Sequence, residues 1–261
     1  MIDVHWPRAA VDAWRGERVR LAGMTVHVPG TRRERLSVVA GNLRIHRLLD
    51  RWVSPGSTVI DVGANIGYNT IRAARRAGSR GRVVALEPTP DNLVVLRDNI
   101  AASALTNVVV EPTAAGSVAG TRDFFVRGER SAVNSLFPDS CYAHVTDVLR
   151  VPVVRLDDLV AAADVVKIDV EGGELDVLEG MPRLLRAPRI ALIVEWHPLL
   201  QQLAGYGADA LPRWLLERGW SLQAASHLTV RRLAGADLPA LTSRLLRSRG
   251  PVELLARRGG G

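Results

Sequence analysis

Two rhythms of apolar and polar positions alternate along the chain. Short apolar runs at 59–62, 82–87, 107–111, 165–170 and 190–197 read as buried strands. Between and after them, 67–77, 90–102, 172–185 and 208–218 carry apolar residues at helical spacing. Leu93, Leu96 and Ile100 share one face of 90–102, and Leu175, Leu178, Leu184 and Leu185 mark 172–185. Strands alternating with helices predict an α/β protein with a parallel sheet. A further short strand is expected at 124–126, a polar irregular stretch at 128–140, and VPVVRLDDL at 151–159 leads into the strand at 165.

The two ends depart from this rhythm. RVRLAGMTVHVP predicts a hairpin about Ala22–Gly23, and 42–53 has helical spacing through Leu43, Leu48, Leu49 and Trp52. Ser54, Pro55 and Gly56 then break the chain. WSLQAA followed by SHLTVRRL predicts a terminal antiparallel hairpin. The expected organisation is an N-terminal extension at 1–53, a ligand-binding domain at 54–235 and a basic tail at 236–261 that ends in a disordered Gly-Gly-Gly.

Composition narrows the class. No apolar run approaches the ~20 residues of a membrane span, and the first twenty residues have no secretory signal pattern. A soluble cytoplasmic protein is expected. The single Cys141 excludes an internal disulfide framework and a cysteine-cluster zinc site, and no partner base stands near it in sequence. The net charge is +7, and all of the basic side chains but Lys167 are arginine. That skew points to a GC-rich genome, so much of the basicity is compositional. The arginines after Arg231 read as a solvated face or as a surface for an anionic partner.

The chemistry begins at VIDVGANIGYNT, 59–70, a strand running into a glycine turn and a helix. Gly63 and Gly67 permit a tight turn close to a ligand. Glu87 ends the next strand, twenty residues past Gly67, where an acid commonly holds a ribose diol. The spacing Asp61-x-Gly63-x-Asn65-x-Gly67 does not fit the dinucleotide pattern G-x-G-x-x-G. An acid at the strand end repels phosphate and suits an ammonium. S-adenosylmethionine offers an ammonium, a sulfonium and a ribose diol without phosphate, so it is favoured over NAD.

Ligands of open α/β sheets bind beyond the carboxyl ends of the strands. Asp61, Glu87, Asp169, Glu195 and His197 all fall at such ends. Residues two apart on a strand share a face, so Lys167 groups with Asp169 and Glu195 with His197. His197 is the expected general base, with Asp169 and Glu195 orienting it. The same three could instead hold a hard divalent ion such as Mg2+. Lys167 is the expected ammonium of a tight site or a salt-bridge partner of Asp169. Glu171 reads mainly as a helix N-terminal charge, and Asn134 and Ser135 as a candidate lid.

These segments, with VVALEPTPDNLVVLRDNI, LDDL, VVKIDVEGGELDVLEGM and ALIVEWHP, resemble the FkbM-type S-adenosylmethionine-dependent methyltransferases over roughly residues 36–200. The resemblance implies a class I, Rossmann-like fold with a seven-stranded, mostly parallel sheet. It implies methylation of hydroxyls on sugars, glycolipids or polyketide-type products. The cofactor contacts are then Asp61, Gly63, Ala64, Asn65, Gly67, Tyr68, Glu87 and Pro88, with Asp169, Glu195, His197 and Lys167 facing the acceptor. The expected partner is a small-molecule or glycoside substrate, and a homo-oligomer is left open. Rival readings are an amine N-methyltransferase, an RNA methyltransferase and a domain that has lost catalysis. RNA is disfavoured: one lysine is too few for a two-lysine tetrad, and Asp-Val-Glu-Gly stands where base-amino enzymes carry Asn/Asp-Pro-Pro-aromatic.

Overall fold

The structure, a computed structural model, describes residues 17–21, 24–28, 45–127, 133–141, 144–225 and 229–258. Leu43, Ala22–Gly23 and the terminal Gly-Gly-Gly lie outside the described residues.

The repeating unit starts at β3 (Thr58–Val62), then α2 (Tyr68–Ala77), β4 (Arg82–Leu86), α3 (Pro90–Ala102) and β5 (Val108–Glu111). The chain returns through α4 (Leu156–Leu159), β9 (Val165–Ile168), α5 (Glu174–Glu179), β10 (Ala191–Trp196), α6 (Pro198–Leu203) and α7 (Ala210–Glu217). It ends with β11 (Trp220–Ala225), β12 (Val230–Leu233), α8 (Leu238–Ser248) and β13 (Val252–Arg258). The main sheet has the order β12-β11-β13-β10-β9-β3-β4-β5. Strands β10, β9, β3, β4 and β5 are parallel, and β13 runs antiparallel between β10 and β11. The sheet therefore has eight strands rather than the expected seven, because β13, from the segment expected as a tail, is inserted between β10 and β11.

Strand alternation sorts the core onto two faces. Ile60, Val62, Val84, Leu86, Val166, Ile168, Leu192 and Val194 pack with Leu175 and Leu178. Their neighbours Val59, Val83, Val165, Ala191 and Ile193 pack on the other face with Ala73, Ala74, Leu48 and Leu49. Both faces are covered, which is why these strands read as continuous apolar runs.

The N-terminal elements behave as the pattern predicts. β1 (Glu17–Leu21) and β2 (Met24–Val28) pair antiparallel. Residues 45–52 form α1. Asn99 on α3 holds β2 by accepting from the His27 N–H at 2.7 Å and donating to the His27 carbonyl at 3.1 Å. Arg72 of α2 grips Asp50 of α1 through two hydrogen bonds.

The described part of the expected tail, 236–258, is built into the fold. The apolar VELLA run of β13 is buried inside the sheet, and Leu238 and Leu245 seat α8 on the core. Two arginines attributed to a basic surface do structural work instead: Arg257 lies over the Trp52 ring at 4.6 Å and Arg258 over Trp220 at 5.2 Å. Arg231 and Arg232 remain exposed on the edge strand β12, where charge discourages edge-to-edge pairing.

A second sheet is inserted between β5 and β9. It consists of β6 (Ala114–Ala115), β7 (Gly120–Val126) and β8 (Asp147–Val154), in the order β6-β8-β7. The expected strand at 124–126 is the end of β7. Among the described residues no helix is long and apolar enough to cross a membrane.

Candidate active site

Chain order reverses between β3 and β9: β4 and β5 are laid down on one side of β3, and β9 and β10 on the other. At this switch point the loops beyond the strand ends diverge and leave a crevice. A cavity of about 380 Å³ opens there, within the range of small-ligand sites. Gly63, Ala64, Asn65, Tyr68, Glu87 and Pro88 form one end, and Lys167, Asp169, Glu171 and Glu195 line it as well. The inserted sheet and its following loop supply Phe124, Asn134, Leu136 and Phe137.

The glycine turn is held tightly. Gly63 and Ala64 donate to the Leu86 carbonyl at 3.1 and 2.9 Å, tying the turn to β4. Gly63 adopts φ 76, and a Cβ there would stand 2.0 Å from the Asp169 carbonyl oxygen. Its lack of a side chain thus brings the β3 and β9 loops together. Glu87 accepts from Asn65 N–H at 2.9 Å, Thr89 N–H at 2.9 Å and the Asn92 amide at 3.1 Å. A carboxylate has about four acceptor positions, so room remains for a ribose hydroxyl. Burial raises the Glu87 carboxyl above its ordinary range, and those hydrogen bonds oppose the rise.

Asp61 and Gly67 are not among the residues lining the cavity. Asp61 is 1% exposed, beneath the turn. Strand register sets it beside Lys167, and the two pair at 3.2 Å, while Thr70 Oγ1 donates to Asp61 at 2.6 Å. Gly67 serves packing: a Cβ would meet Leu96 Cδ1 at 2.5 Å.

Lys167 bridges the halves of the cavity. Its ammonium, 3% exposed, pairs with Asp61 and with Asp169 at 3.4 Å and donates to the Gly63 carbonyl at 3.0 Å. Burial alone would depress this amine, but Asp61 and Asp169 outweigh it and hold it above its ordinary value.

His197 stands apart from the site expected for it. It is 2% exposed and does not line the cavity. The strand ends at Trp196, and His197 is the N-cap of α6. Its Nδ1 accepts from Leu200 N–H at 3.3 Å, and its Nε2 faces the Arg249 carbonyl at 3.2 Å. Nδ1 as acceptor makes Nε2–H the donor. Burial lowers the imidazole below its ordinary value, disfavouring the charged form. The two-residue rule fails here because the chain turns into a helix at the second residue.

A different carboxylate completes the cluster. Asp169, Glu171 and Glu195 bring oxygens within 4.8 Å of one another. Glu171 sits in a left-handed conformation, φ 58, just before Gly172 and Gly173. This aims it differently from the first-turn helix charge expected of it. α5 starts only at Glu174, whose carboxylate accepts from Val170 and Gly172 N–H at 3.2 and 3.1 Å. Burial pushes Glu174 up to about 7. Burial, then Asp169, Glu171 and Glu253, hold the Glu195 carboxyl well above the usual range. Glu253 is the register partner of Glu195 across β10 and β13, and like charges so placed repel. Glu171 is raised likewise by burial and by Asp169.

The loop at 133–137 is braced from inside. Buried Arg127 donates to the Val133 carbonyl at 2.9 Å and to the Phe137 carbonyl, and its backbone N–H donates to Asn134 Oδ1 at 2.9 Å. This fixes Asn134 on the cavity wall, whereas Ser135, the other residue of the expected lid, is not among those lining the cavity. The Ser135 carbonyl accepts from Phe125 N–H at 2.8 Å, and Ser135 N–H donates back to the Phe125 carbonyl at 3.3 Å. Phe124, Leu136 and Phe137 went unrecognised as wall residues. The apolar run at 124–126 was visible, but nothing local tells that its sheet covers the crevice.

An open sheet with this strand order, a glycine turn after its first parallel strand and an acid ending the second defines an S-adenosylmethionine-dependent class I methyltransferase architecture. The methyltransferase FkbM domain family matches residues 61–222. The chain belongs to the FkbM methyltransferase family. It is 30% identical over 168 residues, 62% of this chain and 65% of that protein, to the hexuronic acid methyltransferase AglP of Haloferax volcanii. The chain thus spans less than two thirds of the length of the curated relatives it matches. A solved structure from Clostridium thermocellum, described as an rRNA methylase, superposes with TM-score 0.51 at 11% identity, covering 83% of this chain and 95% of that one. The O-methyltransferase TomG of Streptomyces achromogenes, in complex with S-adenosylmethionine, gives TM-score 0.47 at 14% identity over 85% and 81% of the two chains.

Proposed function

We propose that the protein transfers a methyl group from S-adenosylmethionine to a hydroxyl of a sugar-type small molecule, with Glu195 as the proton acceptor. The observation that carries this reading is one cavity joining the Glu87–Asn65–Gly63 wall to a crowded carboxylate. The ribose diol is held by Glu87, and the methionine end lies along the turn at Gly63–Asn65. The acceptor enters between Glu195 and the aromatic wall of Phe124 and Phe137. Its oxygen attacks the methyl carbon, the carbon–sulfur bonding pair moves onto sulfur, and the hydroxyl proton passes to Glu195. Alignment contributes roughly 7–11 kcal/mol to such a displacement. A base adds about 10²–10⁴-fold, and burial, then crowding with Asp169 and Glu171, raises the basicity of Glu195 for this role.

The sugar class is supported by the Haloferax relative, which acts on a hexuronic acid. Here four acids and one lysine line the cavity, which favours an uncharged hydroxyl over a carboxylate acceptor. The test is methyl transfer to a panel of neutral glycosides, uronides and aminosugars, read by mass spectrometry. Methyl ethers that vanish in Glu195→Gln are expected, and products confined to methyl esters of uronide carboxylates or to N-methyl aminosugars sink the reading.

A second arrangement is favoured by the proximity of the Asp169, Glu171 and Glu195 oxygens: a hard divalent cation there would lower the pKa of the hydroxyl directly. Turnover abolished by EDTA and restored by Mg2+ is its signature. This donor set replaces the expected one containing His197.

A further inference from the structure

We propose that Phe137 is the platform on which the methyl acceptor stacks, so that a pyranose lies with a C–H face on this ring while one of its hydroxyls reaches Glu195. The inference rests on the methyl-transfer reading and extends it to the shape of acceptor that the site selects.

Position comes first. Among the described residues, the aromatic side chains lining the cavity are Tyr68, Phe124 and Phe137. Tyr68 is 3% exposed, and Phe124, 6% exposed, is packed among Ala114, Val151 and Val153 of the inserted sheet. Phe137 is half-buried, so it is the ring with surface left to offer. Gly173 lets it settle there: a Cβ on that glycine would stand 3.0 Å from Phe137 Cε2 and 3.5 Å from Val170 Cγ2. Gly173 follows Glu171 by two residues, and Glu171 brings an oxygen within 4.8 Å of a Glu195 oxygen. Phe137 and Val170, which also lines the cavity, thus form an apolar ledge beside the proposed proton acceptor.

The ledge is also built before a ligand arrives. Phe137 N–H donates to Ser135 Oγ at 3.0 Å, and its carbonyl accepts from the Ser135 hydroxyl at 3.3 Å and from Arg127. The ring is braced as well as the backbone. Tyr206, in the loop after α6, meets it in a T-shaped contact with centroids 6.4 Å apart. Arg122 of β7 stands 5.9 Å over the ring and is itself paired with Asp176 of α5 at 2.7 Å. Neither Tyr206 nor Arg122 lines the cavity. They hold the ring from behind and leave its cavity side for a ligand, and a surface ordered in advance loses little freedom on binding.

A pyranose has two kinds of surface that match the two sides of this pocket. Its hydroxyls radiate from the ring edge, while its axial hydrogens make a face apolar. Those hydrogens carry partial positive charge from the neighbouring oxygens, and the face of an aromatic ring is negative. Phe137 takes the face of the sugar, and the edge is left to Glu195 across the same cavity. An open-chain alditol carries the same hydroxyls, but it presents a flat apolar face only after several torsions are frozen, which costs binding free energy. The ledge therefore distinguishes ring from chain.

The test sets methyl glucoside, methyl galactoside and methyl mannoside against glucitol, galactitol and mannitol as acceptors for the full chain. Calorimetry with S-adenosylhomocysteine accompanies the rates. In the wild type the pyranosides should exceed their alditols in kcat/KM by about tenfold or more. Phe137→Ala should raise the pyranoside KM about tenfold, with kcat and S-adenosylhomocysteine affinity within about twofold. Phe137→Trp should keep the wild-type KM, and Phe137→Leu, apolar but without an aromatic face, should behave as the alanine variant does. Equal kcat/KM for ring and chain in the wild type overturns the proposal. So does a leucine variant with wild-type KM, which would make the residue mere bulk, or a loss of S-adenosylhomocysteine affinity in all three variants, which would set Phe137 against the cofactor. Bound S-adenosylhomocysteine with no methyl ether formed on any of the six acceptors has a different signature and removes the sugar-hydroxyl reading itself.

Discussion

The two halves of the cavity are built on opposite plans. At the β3 and β4 ends the carboxylates are matched: Glu87 accepts three hydrogen bonds and Asp61 meets Lys167 and Thr70. At the β9 and β10 ends, Asp169, Glu171 and Glu195 crowd within 4.8 Å, and burial and mutual repulsion raise Glu171 and Glu195 well above the usual carboxylate range. The first half is finished before any ligand arrives. The second holds carboxyls of raised proton affinity, which is where a reaction that releases a proton is best served. Pre-organised contacts bind the invariant part of a cofactor, and a carboxylate of raised basicity acts where a proton moves.

The sharpest way to break this contrast is to remove charge from the crowded half. Glu195→Gln should lower turnover by about 10²–10⁴-fold with S-adenosylhomocysteine affinity almost unchanged. Steady-state rates beside calorimetry separate the two effects, and equal losses in both would mean that Glu195 shapes the pocket rather than accepting a proton. The next largest effect belongs to the matched half. Gly63→Ala places a Cβ against the Asp169 carbonyl and requires a positive φ, so a loss of about 3 kcal/mol or more is expected. Urea unfolding measures it, and a wild-type midpoint would show that the turn has slack.

These two halves were not equally legible in the sequence. The glycine turn and Glu87 could be read because their chemistry is local: a strand, a turn and an acid at fixed distance. Even there, the role of Asp61 was misassigned, since only strand register reveals that Lys167 faces it. The acceptor half depends on where loops go. Glu171 joins the cluster through a left-handed residue before two glycines, and His197 leaves it because Pro198 opens a helix. β13 was hidden for a similar reason: its VELLA run sits among arginines whose stacking on Trp52 and Trp220 no composition count displays.

The halves should also answer pH with opposite signs. His46 stacks on Tyr68 of the matched half at 4.5 Å. Burial, then Arg72, lowers its pKa from 6.5 to about 4. Between those values the unfolded chain binds a proton the native state refuses, so stability falls as pH drops, by about 3 kcal/mol in all. Glu171 and Glu195 have raised native values. They lose stability in the other direction, as pH rises from the unfolded carboxylate range toward their native values. Thermal melts across pH 4–9 should show both limbs. His46→Phe should flatten the acid one and Glu171→Gln the alkaline one, while a single limb common to all three proteins would dissolve the contrast.

The smallest effect tests the boundary of the crowded half. His197 lies two residues past Glu195, yet its ring nitrogens bind the Leu200 N–H and the Arg249 carbonyl. Arg249 ends α8 in a left-handed conformation, so His197 joins the start of α6 to the end of α8. His197→Ala should therefore cost about 2 kcal/mol, combining a lost cap with a buried void. Turnover should stay within about twofold at temperatures where the variant is folded. His197→Asn, which can cap a helix, should recover part of the stability. A proton acceptor would behave differently, since alanine would depress turnover with stability intact and asparagine would restore nothing. Unfolding midpoints and initial rates on the same two variants decide between a helix cap and a base, and so whether the reactive half of the cavity ends at Glu195.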